Sequence, residues 1–286
     1  MESTNISETE YNGSIKVYTD EEIKAFYPKR ARNSHKGTYG SANIVAGSDK
    51  YMGAAALAAE AAAMSGCGYV KLTSTEKVKL ALVAKLPQVI YLDEPDLTSQ
   101  AIAIGMGCGV SEKLYNTIKS LLLTYTGKLI IDADGLNSLA KYGVEILKNR
   151  TCEVILTPHV KEFSRLTGQS VSQILASPVQ CAKEFAAEYG VNVLLKGADS
   201  VICDGERIAI NRRGTTALAK GGSGDMLSGY MCGSAARGLS LFDAAVCAAY
   251  TMGVSAEISS AQKTDYCATA KDIIKNLKNA VKQLTE

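Results

Sequence analysis

Short runs of aliphatic and β-branched residues alternate along the chain with longer stretches whose apolar positions recur every three or four residues. Strand-like runs at 43–46, 69–73, 101–104 and 129–131 are each followed by a helix-like pattern, at 53–64, 78–86, 112–123 and 136–142. The second half continues with a strand at 154–156, helices near 161–166 and 179–189, and a strand at 193–195. Such alternation predicts an α/β fold with a mostly parallel central sheet and helices on both faces. Two further runs, 200–203 and 207–210, flank Asp204-Gly205-Glu206, and the Asp-Gly step predicts a hairpin that turns the sheet antiparallel at one edge. Ala-rich helices at 225–237 and 241–260 precede a terminal amphipathic helix at 271–284 carrying Ile273, Ile274, Leu277, Val281 and Leu284. The Ala-rich helix at 53–64 is expected to pack closely, within the fold or between subunits, because small side chains let backbones approach. Residues 1–33 read as a polar extension with a short docked helix within 18–29, and residues 34–286 as one α/β domain, since no repeat or Pro-rich linker divides them.

Composition narrows the function classes. The 286 residues carry 31 Lys and Arg against 29 Asp and Glu, a formal charge of +2, so no global field draws the chain to nucleic acid or an anionic membrane. Any phosphate it binds is held locally. No uninterrupted apolar run approaches the ~18 residues of a membrane span, and the polar N-terminus lacks the pattern of a secretory signal, which makes the cytoplasm the expected compartment. Eight scattered cysteines without a Cys-x-x-Cys pair predict buried thiols. With only His35 and His159 as histidines, structural zinc is not expected.

The strongest local signal is the stretch 216–225, which ends Lys220-Gly-Gly-Ser-Gly-Asp225 and runs directly into a helical pattern. Glycines 221, 222 and 224 let a ligand approach the backbone, and a helix start aims free N–H groups and partial positive charge at it. Asp225 at that terminus is either a base that takes a proton from a hydroxyl or an N-cap after a Gly-rich turn, and the residues alone weigh the two about equally. There is no Gly-x4-Gly-Lys-Ser/Thr loop, and Gly105-Met-Gly107-Cys-Gly109 departs from dinucleotide-fingerprint spacing. Its glycines nevertheless end a strand, as do Asp132, Asp134, Asn137, His159, Glu162 and Lys196, and such ends gather along one rim of a parallel sheet. Each has a plainer role open to it: helix caps for Asp134 and Asn137, a satisfied histidine at 159, a solvated charge at 196.

In order, the stretches 35–40, 47–55, 104–107, 132–137, 156–163, 195–197 and 217–225 resemble the ADP/ATP-dependent NAD(P)H-hydrate dehydratases, a branch of the ribokinase-like superfamily. The resemblance implies a ribokinase-like three-layer sandwich. It implies a lyase that restores NADH or NADPH from the S-epimer of its hydrated form, with ADP (or ATP) converted to AMP (or ADP) and phosphate. By position it makes Asp225 the base and gives the hydrated dinucleotide to Ala54, Gly107, His159 and Asp225. It gives the adenine nucleotide to Lys196, Gly197, Ala198, Asp199, Ser200, Gly222, Ser223 and Gly224. Mg2+ is implied on the phosphates with no ligands singled out, and a homo-oligomer, as a tetramer, is implied for the assembly. Met106, Val160-Lys161, Gly135 and Ser223 depart from the usual family residues. Two other readings stay open: a related kinase of a vitamin-precursor alcohol, and a silent nucleotide-binding protein. Retention of Lys220 and Asp225 argues against the second.

Overall fold

The structure is a computed structural model and describes residues 15–286; the first part of the expected polar extension, 1–14, lies outside the described residues. The strands are β1 (Ile15–Lys16), β2 (Ser41–Val45), β3 (Tyr69–Thr73), β4 (Ile90–Leu92), β5 (Ala101–Ile104), β6 (Lys128–Ile131), β7 (Glu153–Leu156), β8 (Asn192–Leu195), β9 (Ser200–Cys203) and β10 (Ile208–Asn211). They form one 10-stranded sheet in the order β1-β10-β9-β8-β7-β6-β5-β2-β3-β4. Neighbours from β8 to β4 are parallel, and the β9–β10 hairpin is present as the Asp-Gly step predicts. The hairpin is not outermost, because β1 adds in parallel to β10. Strand β9, antiparallel to both its neighbours, alone runs against the rest.

Two layers of helices cover the sheet. One holds α1 (Asp20–Lys24), α2 (Met52–Met64), α3 (Glu76–Leu82), α9 (Ser223–Ala236), α10 (Leu241–Cys267) and α11 (Ala270–Thr285). The other holds α4 (Glu112–Thr124), α5 (Asp134–Tyr142), α6 (Val160–Thr167), α7 (Val171–Ala176) and α8 (Pro178–Tyr189). Successive strand residues feed opposite cores, Ile130, Ile155 and Leu194 the first, Ile131, Leu156 and Leu195 the second, as a two-residue side-chain period requires. Strand β4 and helix α7 went unread in the sequence. The first is three half-exposed residues at the sheet edge; the second is one short turn announced only by the capping box Ser170 and Gln173.

The Ala-rich helix packs within the fold. In α2 the side chains of Ala55, Ala58, Ala59, Ala61 and Ala62 are fully buried, and α9 lies against them so closely that a Cβ on Gly229 would sit 2.0 Å from the Ala58 carbonyl oxygen. Helix α10 is by length and composition apolar enough to cross a membrane, although charged residues interrupt it; 83% of its most apolar 18 residues is buried inside the fold, so core packing accounts for its composition. Near its end Thr264 takes φ +68°, a kink in the helix. Helix α1 docks through buried Ile23, and beyond it the Tyr27 hydroxyl lies 2.8 Å from that of Tyr230 and 2.6 Å from that of Thr251.

The chain winds from β2 through β3 to β4, then returns to β5 on the other side of β2 and proceeds through β6, β7 and β8. This reversal makes a crevice beyond the carboxyl ends of β2 and β5, where open α/β sheets take ligands.

Candidate active site

Helix α9 begins beside this crevice. Its N-cap is Gly222, at φ +98°, a left-handed backbone that a side chain strains and that brings the Gly-rich loop into the helix. Asp225 is therefore the third residue of the helix and not its cap, which removes the plainer of its two readings. The first-turn N–H groups of Gly224 and Asp225 have no acceptor within the helix and point out of its positive end.

Behind that turn lies a buried group of charges. Asp132, 1% exposed at the end of β6, accepts a hydrogen bond from Lys196 Nζ at 2.9 Å and one from the Ser228 hydroxyl at 2.8 Å. Lys196, just past β8, also lies 4.0 Å from Glu162 of α6. Its main chain is tied to the next strand end by an N–H donated to the Pro158 carbonyl at 2.8 Å. The step from β6 to α5 is made through Ala133 at φ +50°, a strained conformation for a residue with a Cβ, and Asp134 Oδ2 accepts from the Gly109 N–H at 2.8 Å. His159 is the N-cap of α6: its Nδ1 accepts from the N–H groups of Lys161 (3.1 Å) and Glu162 (3.3 Å), while its own N–H donates to Glu162. With Nδ1 used as an acceptor, the ring hydrogen resides on Nε2.

These surroundings move three acid–base equilibria. Burial and the neighbouring Asp132 push the Asp225 carboxyl up to about 6, with Lys196 pulling the other way and Asp134 adding to the rise. Burial works against the Lys196 ammonium, yet Asp132, Glu162 and Asp225 around it hold it above its ordinary value. Burial pulls the His159 imidazole down, against the Glu162 charge, so the ring is neutral at pH 7.

Ala54 and Gly107 meet on the crevice wall; a Cβ on Gly107, at φ +65°, would come within 2.8 Å of the Cβ atoms of Ala54 and Tyr51. Gly197, Ala198, Asp199 and Ser200 form the turn from Lys196 into β9, closed by the Gly197 N–H donating to Ser200 Oγ at 3.3 Å. The Ser223 hydroxyl is buried with no partner among the described residues. Asn137 is not drawn into the charge group, since its carbonyl oxygen accepts from Arg165 on the seam between α5 and α6. The stretch 35–40 lies before β2, beside the far end of α9, where a Cβ on Gly40 would sit 2.1 Å from the Ala236 carbonyl oxygen; its glycines answer to packing. Lys220, in the Gly-rich loop, is taken up by the protein itself: it donates to the carbonyls of Asp265, Tyr266 and Ala268 at the kinked end of α10. Sequence reading missed Ser228, whose signal was a hydroxyl one turn after Asp225 on the same face of the helix. Among the described residues no three His, Cys, Asp or Glu side chains converge to hold a metal ion.

A family model described as NAD(P)H-hydrate dehydratase matches residues 42–279. An ADP-dependent (S)-NAD(P)H-hydrate dehydratase of Bacillus subtilis is 37% identical over 77% of this chain and 81% of its own length. A bifunctional NAD(P)H-hydrate repair enzyme of Thermofilum pendens is 32% identical over 95% of the chain, which spans 55% of that longer relative. Among solved structures, the ADP/ATP-dependent NAD(P)H-hydrate dehydratase of B. subtilis co-crystallized with ATP/Mg2+ superposes with a TM-score of 0.85 at 33% identity, covering 93% of this chain and 97% of that one. A ribokinase-like protein of Enterococcus faecalis, 21% identical with a TM-score of 0.82 over 95% of this chain and 96% of its own, shares the fold. By the extent of the family match and the identity to these relatives, the chain belongs to the NAD(P)H-hydrate dehydratase family.

Proposed function

We propose that this chain is a hydro-lyase of nicotinamide-nucleotide repair that removes water from the S-epimer of hydrated NADH or NADPH, using ADP or ATP as phosphoryl donor. The observation that carries the reading is the half-buried Asp225 carboxylate in the first turn of α9, beside the amides of Gly224 and Asp225, which have no acceptor within the helix. Asp225 takes the proton of the ring hydroxyl as that oxygen attacks the terminal phosphorus; the bond to the bridging oxygen breaks and AMP leaves, or ADP when ATP is used. The amides from Gly222 to Gly224 hold the phosphoryl oxygens as charge shifts onto them. The ring phosphoester then loses phosphate by C–O cleavage, and an adjacent ring carbon gives up a proton, restoring the dihydronicotinamide.

Ala54, Gly107 and His159 hold the hydrate in this reading: two small residues leave room on the wall, and His159 offers Nε2–H as a donor. The turn from Lys196 to Ser200 and the loop Gly222, Ser223 and Gly224 hold the nucleotide, the Ser223 hydroxyl finding there the partner it lacks among the described residues. Mg2+ neutralises phosphate charge when bound; the donor set fits an ion carried on the phosphates rather than in a protein cage. Eight free cysteines, most of them buried, support a reducing compartment such as the cytoplasm. Exposed Leu80, Val83 and Ile90 near the β4 edge support a homo-oligomer, for which sedimentation velocity is the check.

The test combines the protein with hydrated NADH, Mg2+ and either ADP or ATP, and follows reduced-nicotinamide absorbance together with phosphate release. Coupled recovery of both is expected and names the nucleotide. Turnover of nucleotide on small alcohols with none on the hydrate would overturn the reading in favour of a kinase.

A further inference from the structure

Asp225 does not face the Gly-rich loop alone. Lys196 and Asp132 lie directly under its turn: a Cβ on Gly224 would come within 3.4 Å of Lys196 Nζ and 3.6 Å of Asp132 Oδ2. Ser228, on the same face of α9 one turn further on, fixes Asp132 Oδ2 at 2.8 Å, while Asp132 Oδ1 takes Lys196 at 2.9 Å. The Lys196 side chain is thus turned inward and tethered, and what it offers the site is a fixed charge. Around Asp225, β6 and α5 bring Asp132 and Asp134, β8 brings Lys196, and α6 brings Glu162 and the neutral His159 behind it. The loop after β5 brings Cys108, whose thiol burial pushes up to about 12 and so leaves uncharged, and α2 brings the apolar Ala54 beside Gly107 and Leu57 beside Gly222.

We propose that Lys196 and Asp132 are positioning residues that set the proton affinity of Asp225 with opposite signs, Lys196 keeping it ionised at neutral pH and Asp132 keeping it basic enough to accept a proton. The proposal rests on the reading of Asp225 as base. A half-buried carboxylate facing only other carboxylates would hold its proton further toward neutral pH, and one facing only a cation would be too weak a base to deprotonate an alcohol. The tethered pair, two charges fixed by Ser228 and Glu162, sits between these extremes.

The experiment follows the carboxyl carbons of 13C-labelled aspartates by NMR through a pH titration of the nucleotide-free protein, with Asp225→Asn identifying the signal. Lys196→Met is expected to raise the Asp225 midpoint by about one pH unit or more, and Asp132→Asn to lower it by about one. Lys196→Arg is expected to leave it near the wild-type value. Asp132→Asn keeps an acceptor for Ser228 and leaves Lys196 its Glu162 neighbour, so it remains folded if Lys196→Met, which strands a buried Asp132, does not. Midpoints that stay put in the folded variants, or that move the same way in both, overturn the proposal. Because the midpoint is read without turnover, it decides the matter whether or not the protein acts on the hydrate; in an active enzyme the acid limb of kcat/KM moves with it.

Discussion

Helix α9 carries glycines at both ends of its job, and they are there for opposite reasons. Along the seam with α2, a Cβ on Gly229 would meet the Ala58 carbonyl oxygen at 2.0 Å, and one on Gly233 the Ser65 hydroxyl at 2.0 Å. The fold itself forbids a side chain. At Gly221 a Cβ would meet nothing within 4 Å, and at Gly224 only Lys196 Nζ at 3.4 Å and Asp132 Oδ2 at 3.6 Å. Among the described residues no neighbour crowds those two positions, so packing does not account for them. A glycine whose absence of side chain is explained by a neighbour reports packing; Gly221 and Gly224, which no neighbour explains, are on the proposed reading the room left for phosphate.

The contrast is sharpest at Asp225, the charge on the open side. Asp225→Asn is expected to cut turnover by about 10²–10⁴ while nucleotide still binds, measured by steady-state kinetics and calorimetry. The same change should stabilise the fold. The native carboxyl, at about 6, holds its proton more tightly than the unfolded chain at 3.8, so folding favours the protonated form and stability falls as pH rises from about 4 to 6. Above that window the ionised group costs about 3 kcal/mol, which a neutral Asn removes; a melting temperature at pH 7 no higher than wild type would contradict this. Next in size, Gly229→Ala should cost about 3 kcal/mol in denaturant unfolding, since two helix backbones must part, with kcat of the folded fraction unchanged. Gly224→Ala should do the reverse, leaving stability equal or higher by about 0.5 kcal/mol and lowering turnover on the order of 10–10² by crowding the phosphoryl group. If Gly224→Ala unfolds the protein and Gly229→Ala does not, the distinction collapses.

The layered parallel sheet was legible because its strands are short aliphatic runs set at regular intervals between helical patterns, and the hairpin because Asp-Gly fixes a turn. Strand β4 was not, since its three residues sit half-exposed at an edge with no alternation to read. The rim of polar strand ends placed Asp132, His159, Glu162 and Lys196 on one side of the sheet, but which of them touch depends on packing across β6, β7 and β8. Residue types cannot say that Lys196 turns inward to Asp132 or that His159 caps α6. The stretch 35–40 shows the converse: a motif that helps define the family stands beside the far end of α9, about 20 Å of helix from Gly222, where it packs rather than reacts.

Lys220 tests the same distinction with a charge in place of a glycine. It sits in the Gly-rich loop, one residue before Gly221, where a lysine invites a role on phosphate. Its ammonium instead donates to the carbonyls of Asp265, Tyr266 and Ala268, the unpaired acceptors at the kinked end of α10. Cations at a helix C-terminus are stabilising through these acceptors and through the helix dipole. Lys220→Met should therefore lower unfolding free energy by about 1–2 kcal/mol, the scale of charged hydrogen bonds made at a partly exposed site. The loop that Lys220 anchors also carries Thr216, which bonds the Asp265 carboxylate, so its position is held by more than one tie. For that reason kcat/KM for the nucleotide should fall by less than about tenfold. A loss of the size expected for Asp225→Asn, without a change in stability, would put Lys220 on the phosphates and remove it from the scaffold.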